Sequence, residues 1–510
     1  MYSQNSLQSH TPEIVSQQRW WILAAVGCGT FMATLDSSIV NVALPSITSS
    51  LQTTLAYSRW VVISYLFSIT TLLLFFGKLS DILGRRPIFL VGFAIFNIGS
   101  LFCGLSHTIN ELILARALQG LGSSMLMSNG PAIITAAFAP SERGKALGTL
   151  AMVVSAGLAV GPTVGGLLLR ISSWPFIFLT NIPIGFIGLY LTLRYLPKGG
   201  ARCLPASSAG QKPHGSCPSK LETFRAQLKG LQNFDWLGTF LWLFTQIGIS
   251  IALDRENILN LPSVLRALFS LGSVGLLLLF IIWEWGVDDP ILDMNLFNSR
   301  LFINSNVSSF FAFMGMSSIT LLMPFYFQNI RALPAMSIGL IMTTIPATIF
   351  CIAPISGRMS DRHGSRFFSI AGISMVALSL ILLGVDWYGL RENSPIHWIV
   401  FHLILSGVGF GFFQTPNSRA IMGDVDRSQL GVASALLATM RNLGLVIGTG
   451  LSSAILMYLY PRYLAQWTDS PQEAFVRALR HTFLIIGCLC TVGIVSASFA
   501  RSKMETAKQK

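Results

Sequence analysis

The chain has 510 residues, of which 52% are hydrophobic and only 11% charged, and its formal net charge is +13. Charged residues make up about 25% of ordinary soluble domains, so this composition excludes a globular enzyme wetted by water on all sides. Its basic residues are scattered over the connections between apolar stretches and are not gathered on one face or arm, which excludes a nucleic-acid-binding surface.

The first 19 residues hold one basic group, Arg19, and lead into an apolar run without a small-residue cleavage site. This reads as an uncleaved first helix and not as a signal peptide. Six apolar runs follow, at 20–44, 57–77, 87–106, 109–137, 146–169 and 174–196. A segment rich in Gly, Pro, Ser and basic residues fills 197–233, and two more runs lie at 236–253 and 264–285. The last six are at 302–328, 336–356, 367–386, 395–420, 430–459 and 481–500. Each can cross a hydrocarbon core of about 30 Å as a helix, and none has the alternating polarity of a membrane strand.

An all-α membrane protein of fourteen spans is therefore expected. Its parts are a terminal segment 1–19, a six-helix bundle 20–196, a linker 197–233, an additional helix pair 234–286, a second six-helix bundle 287–500 and a tail 501–510. An even number of spans puts both termini on one side, and most of the 34 Lys and Arg lie in loops on that side. The bias of basic residues toward the cytoplasm makes that side cytoplasmic. The chain reads as a multi-pass protein of the plasma membrane, the inner membrane in a bacterium.

Charges within the spans are few, and each needs a reason. Asp36 is the one acid well inside a run, where an ionised carboxylate costs about 3 kcal/mol unless it meets a cavity or a partner. Its protonation would respond to the distance of a cation such as Arg116, which suits proton coupling. Against this, Asp36 lies about 24 Å along the helix from Trp20, near enough to the far end for simple hydration. Arg116 keeps its charge at any ordinary pH and acts as an electrostatic partner and not as the proton carrier, or else snorkels to the membrane surface. Arg441, in the run 430–459, has no acid near it in sequence; it contacts an anion or packs against helix ends.

The stretch GKLSDILGRR, Gly77 to Arg86, returns 280 positions later as GRMSDRHGSR, Gly357 to Arg366. Duplicated units of this kind are usual in transporters. Each copy is a short charged connection between two apolar runs, on the cytoplasmic side. Asp81 can accept hydrogen bonds from Arg85 or Arg86, and Gly77 and Gly84 permit close packing and a sharp turn. We expect a conformational latch made of Gly77, Asp81, Gly84, Arg85 and Arg86 in one copy and Gly357, Asp361, Gly364 and Arg366 in the other. In the fifth run, Gly157, Gly161 and Gly165 recur every four residues and share a helix face, while Pro162 removes a backbone donor and bends the helix. That combination suits a gating helix.

Other chemistry is not indicated. Cys28, Cys103, Cys351, Cys488 and Cys490 fall in spans, and Cys203 and Cys217 lie with His214 in the linker, too loosely spaced for a metal set. Neither a metal nor a cofactor is expected. No GxxxxGK[ST] loop for a nucleotide phosphate occurs, and no nucleophile and base are arranged as in an enzyme.

The repeated loops resemble the signature cytoplasmic loop of the major facilitator superfamily, and the division of the spans resembles its fourteen-span drug:proton antiporter branch. LDSSIVNVALPSI at Leu35 to Ile47 is similar to that branch's first-helix motif, and ARALQGLGSS at Ala115 to Ser124 to its fourth-helix motif. GLAVGPTVGG at Gly157 to Gly166 resembles its antiporter motif. FLTNIPIG at Phe178 to Gly185, FDWLG at Phe234 to Gly238 and GVASALLATMRNLGLVIGTG at Gly431 to Gly450 follow in order. One departure stands out: where the branch has a Trp-Arg-Trp-like triplet, this chain has Trp174, Pro175 and Phe176, so an external cation is missing.

The resemblance implies proton-coupled secondary active efflux of amphipathic or cationic small molecules by alternating access, with Asp36 and Arg116 coupling the proton. Amides at Asn41, Gln119, Gln328 and Gln414 would line the cavity. The partners implied are a small-molecule substrate, protons and the lipid bilayer, with no nucleic acid and a monomeric chain. Export of an endogenous metabolite, lipid or siderophore, and uptake by symport, are the alternatives within transport; a non-transporting membrane sensor is the alternative outside it.

Overall fold

A computed structural model describes residues 12–138, 142–197, 234–253, 262–287, 290, 294–385, 390–425, 430–467 and 470–500. The linker candidates Cys203, His214 and Cys217 and the tail 501–510 lie outside the described residues. The helices are α1 (Pro12–Ser50), α2 (Leu55–Leu83), α3 (Arg85–Leu105), α4 (Ile109–Ala137), α5 (Arg143–Ile171), α6 (Phe176–Leu179), α7 (Asn181–Tyr195), α8 (Trp236–Leu253) and α9 (Ser263–Gly286). They continue with α10 (Arg300–Phe325), α11 (Ala335–His363), α12 (Ser365–Gly384), α13 (Ile396–Asp424), α14 (Leu430–Trp467) and α15 (Pro471–Phe499).

Among the described residues, 12 helical segments are long and apolar enough to cross a membrane. The other two expected spans correspond to α4 and α8. The first is a 29-residue helix whose interior carries Arg116, Gln119, several serines and Asn129; the second is 18 residues long, shorter than the other spans. Large apolar side chains stand exposed on α9, among them Val264, Leu268, Leu271, Ile282 and Trp285. Inside out by the rules of a water-soluble protein, this surface is suited to lipid, which gives no penalty to exposed hydrocarbon.

The duplication read from the loops extends to the packing. In the first half α1 packs on α5 and α7, and α4 on α2 and α3; in the second half α10 packs on α14 and α15, and α13 on α11 and α12. The two repeated loops also share their detail. Gly84 joins α2 to α3 with φ +96°, and Gly364 joins α11 to α12 with φ +86°, a left-handed conformation that glycine reaches without a Cβ clash. Each donates its N–H to the carbonyl of the serine four residues earlier, Ser80 at 2.9 Å and Ser360 at 3.0 Å. Arg86 donates to the Leu193 carbonyl at the end of α7, and Arg366 to the Ser498 carbonyl at the end of α15.

Glycine sets how closely the first half can pack. Gly157, Gly161 and Gly165 of α5 lie against α1, where an added Cβ would stand 2.2 Å from Thr34 Oγ1, 1.8 Å from Ser38 Oγ and 2.9 Å from Ile39 Cγ1 respectively. The next face of α5 meets the second half: a Cβ on Gly166 would come within 2.7 Å of the Ala335 carbonyl oxygen, and one on Gly339 within 2.3 Å of the Pro162 carbonyl oxygen. Thr163 and Thr343 hydroxyls bridge the same seam at 2.6 Å. A second seam joins α2 to α14, where Arg59 Nη1 donates to Ser453 Oγ at 2.6 Å. Arg59 and Ala335 sit at the starts of α2 and α11, so these contacts hold the halves together at the end opposite Gly84 and Gly364.

Gly161→Ala forces one methyl group into the α1 seam. Overpacking of this kind costs about 1–3 kcal/mol, and thermal unfolding of the purified protein in detergent should reveal it. Gly148 of the same helix has open space where its Cβ would go. Gly148→Ala should therefore leave the melting temperature unchanged or raise it slightly.

Candidate functional site

Asp36 lies in the middle of the first half with no exposed surface, and so does Arg116 but for a trace. Moving either charge alone out of water costs several kcal/mol. The sequence answers by supplying partners from four further helices. Arg116 Nη1 of α4 donates to Asp36 Oδ2, so the two charges form a buried ion pair. The other carboxylate oxygen accepts from Gln119 Nε2 at 2.9 Å and from Asn181 Nδ2 at 2.7 Å. Three residues apart, Arg116 and Gln119 share a face of α4, and Gln119 Oε1 also accepts from Arg116 Nη1 at 2.6 Å.

The outer contacts hold this core in register. Arg116 Nε donates to the Val61 carbonyl of α2 at 3.0 Å, and Gln119 Nε2 donates to Ser100 Oγ of α3 at 2.8 Å. The guanidinium carbon of Arg116 stands 4.0 Å from the Tyr65 ring centroid and 5.6 Å from that of Phe178, within the range of cation–π attraction. Tyr65 is tethered in turn, its hydroxyl donating to the Ala33 carbonyl at 2.9 Å. Arg116 Nε and Nη1 and the amides of Gln119 and Asn181 are thus aimed at carboxylate, carbonyl or hydroxyl oxygens.

Asn181 reaches Asp36 because the sixth span is interrupted. Pro183 has no N–H to give to the Leu179 carbonyl four residues earlier, and α6 ends at Leu179 while α7 begins at Asn181. The third donor to Asp36 is therefore placed by a proline two residues away. An amide in an otherwise apolar run just before a proline was the available signal in the sequence.

The other expected site residues are distributed as follows. Gln119, expected at a cavity wall, has both amide atoms committed to the buried network. Asn41 is half-buried on α1, its amide donating to the Ser37 carbonyl at 3.3 Å. Gln414 is half-buried on α13, and Gln328 lies in a π-helical turn, Tyr326–Ile330, that ends α10. In the loops, Arg85 donates to the Ala132 carbonyl at 2.7 Å, Gly77 faces Ser128 of α4, and Gly357 faces Thr415 of α13. The side chains of Asp81 and Asp361 lie outside the described residues. Trp174 Nε1 donates to Ser50 Oγ at 3.1 Å, tying the end of α1 to the start of the sixth span beside Pro175.

A model of the Major Facilitator Superfamily matches residues 26–301 and 306–510. This chain belongs to that superfamily. Members are membrane transporters, so the chain is a multi-pass transporter and not an enzyme. Relatives include the riboflavin transporter RibZ of Clostridioides difficile (strain 630), 31% identical over 489 residues that cover 96% of this chain and 99% of RibZ. The multidrug resistance protein Stp of Mycobacterium tuberculosis is 30% identical over 438 residues, 85% of this chain and 75% of Stp. The multidrug transporter protein MdtP of Bacillus subtilis is 27% identical over 445 residues, 86% of this chain and 75% of MdtP. These multidrug relatives agree with the drug-antiporter branch of the superfamily that the motifs resemble. Among solved structures, a bacterial homolog of the human lysosomal transporter Spinster superposes with a TM-score of 0.66 at 13% identity, over 96% of this chain and 98% of that one. That likeness bears on the major facilitator fold alone.

Replacing Asn181 by Ala removes one of the three donors to Asp36 and leaves the carboxylate under-solvated. The expected loss is about 1–3 kcal/mol, seen as a lower melting temperature in detergent. Asn181→Asp should be worse, since it sets a second carboxylate against Asp36.

Proposed function

We propose that this transporter is a proton-coupled exporter of amphipathic small molecules that works by alternating access between its two halves. The observation that carries this reading is the buried Asp36, held by Arg116, Gln119 and Asn181 and lying on the segment of α1 that the α5 glycines touch. As a carboxylate Asp36 accepts three hydrogen bonds. Once protonated, one oxygen becomes a donor in a site whose neighbours are donors, and Arg116 loses its counter-charge. Such a site favours a different arrangement of the helices around it, which is how a proton would drive a conformational change.

The rest of the reading follows from that centre. Arg116 is the fixed cation, and α5, gripping α1 on one face and α11 on another, is the gating helix that carries the change between halves. The seams at Gly166–Ala335 and Arg59–Ser453 would form an external gate, and the two glycine-jointed loops, with Asp81 and Asp361, a cytoplasmic latch. Both termini would then face the cytoplasm, in the plasma membrane, as the distribution of Lys and Arg supports. Asn41, Gln328 and Gln414 remain candidate cavity residues for cargo. A vitamin-like metabolite is a second reading of the cargo, favoured by the extent of the match to RibZ, which is a riboflavin transporter by name.

Inverted membrane vesicles test the coupling. With an imposed proton gradient, a transported drug should collapse the gradient in the wild type and much less with Asp36→Asn. Normal proton and drug movement by Asp36→Asn would remove the coupling assignment. For the latch, Asp81→Asn should slow efflux and change the labelling of a cysteine placed in the cytoplasmic mouth; unchanged rate and labelling would discard it. Riboflavin supplied as a competitor distinguishes the two cargo readings, since only a metabolite carrier should lose drug transport to it.

A further inference from the structure

Arg441 is the second guanidinium set deep in the bundle that the sequence singled out, and its surroundings differ from those of Arg116. It lies about three turns into α14, on the side of α14 that packs against α10. Gly444 and Gly448 press that side onto α10, where an added Cβ would meet the Phe310 carbonyl oxygen at 2.4 Å and Ser317 Oγ at 2.1 Å. The approach leaves Arg441 little choice of direction. Its Nη2 donates to Ser418 Oγ of α13, and Ser418 donates in turn to the Gln414 carbonyl. Its guanidinium carbon lies 5.5 Å from the Phe313 ring centroid, and Phe313 meets Phe410 edge-on at 4.8 Å.

What Arg441 lacks is an anion. The ion pairs among the described residues join Arg19 to Glu142, Arg116 to Asp36 and Arg477 to Glu473, and none involves Arg441. Its Nε is buried and has no hydrogen-bond partner, and the residue as a whole is half-buried. A guanidinium cannot shed its charge to suit this place. An intramembrane cation in this condition marks a pathway or a ligand. With Nε unpaired, aromatic rings beside the guanidinium and Gln414 one turn from Ser418, the site has a donor for a carboxylate and flat apolar walls for a ring system.

We propose that Arg441 binds the carboxylate of the cargo, and that the site formed by Arg441, Ser418, Phe313 and Phe410 selects planar aromatic acids. This rests on the exporter reading and narrows it: of the amphipathic molecules, those with an anionic end are preferred, and cations are disfavoured by Arg441. Ser418 is a positioning residue, since its hydroxyl holds the guanidinium in place from α13.

Equilibrium binding separates this proposal from the coupling assignment, because it needs no gradient. The full-length protein, purified in detergent, is titrated with a fluorescent aminocoumarin carboxylate and with the matching neutral carboxamide. The wild type should bind the carboxylate at least roughly ten-fold more tightly, as befits a charge-assisted hydrogen bond. Arg441→Gln should abolish that preference while changing carboxamide affinity less than about two-fold, and Arg441→Lys should keep part of it. Asp36→Asn, whatever it does to proton movement, should keep the preference in full, so failure of the coupling reading would be told apart. No binding of the carboxylate dye by the wild type, equal binding of the two dyes, or an undiminished preference in Arg441→Gln each overturns the proposal. Should Arg441→Gln not stay monodisperse, Arg441→Lys and the wild-type comparison decide alone: a preference reduced but not lost in Arg441→Lys supports the proposal, and an undiminished preference there, or none in the wild type, sinks it.

Discussion

Hydrocarbon does not solvate charge, and the first half of this transporter is built around one place where two charges must nevertheless exist. Asp36 and Arg116 neutralise each other, but an ion pair alone leaves a carboxylate oxygen and several guanidinium protons without partners. Gln119, Asn181 and the Val61 carbonyl take them up, and Ser100 accepts in turn from Gln119. Together with Asp36 those groups come from five different helices, so the positions of α1, α2, α3, α4 and α7 are fixed relative to each other by one polar requirement. The interrupted sixth span and the polar character of α4 are both consequences of it.

The second constraint is distance. A hydrogen-bonded network inside a lipid-solvated bundle needs helices close enough for backbones to touch, because hydrophobic burial gives no drive for helices to leave a medium as apolar as themselves. The glycines of α5 supply that closeness to α1, and Gly166 and Gly339 extend it to α11. The helix that carries Asp36 is thus tied to the second half through α5 as well as by direct contact with α10 and α11. The same device recurs where Gly444 and Gly448 seat α14 on α10, and there it aims Arg441 in place of an acid.

Much of this was legible in the sequence, for reasons that differ from residue to residue. Apolar run lengths gave the helices, since the bilayer thickness dictates them, and the repeated glycine, serine and arginine positions of the two loops gave the duplication. Asp36 and Arg116 stood out because charge is rare in such a chain. Their partnership was expected from charge, but the contact geometry was not legible, as 80 residues separate them and only the three-dimensional crossing of α1 and α4 brings them together. Asn181 was hidden among family-like motif residues, and Gln119 looked like a cavity residue because its sequence context cannot show that both ends of its amide are already used. The roles of Gln328 and Gln414 depend on which faces line the space between halves, a property of the assembled bundle that no local pattern encodes.

The one-residue joints at Gly84 and Gly364 have a mechanical corollary. With a single glycine between α2 and α3, and again between α11 and α12, there is no slack in which either helix could swing without dragging its neighbour. Arg86 and Arg366 fasten those corners to the last helix of their own half. Each half is thus stiff as a carpenter's square at that end, and compliance is left to the seams between halves, where small residues, two threonine hydroxyls and the Arg59–Ser453 bond make contact.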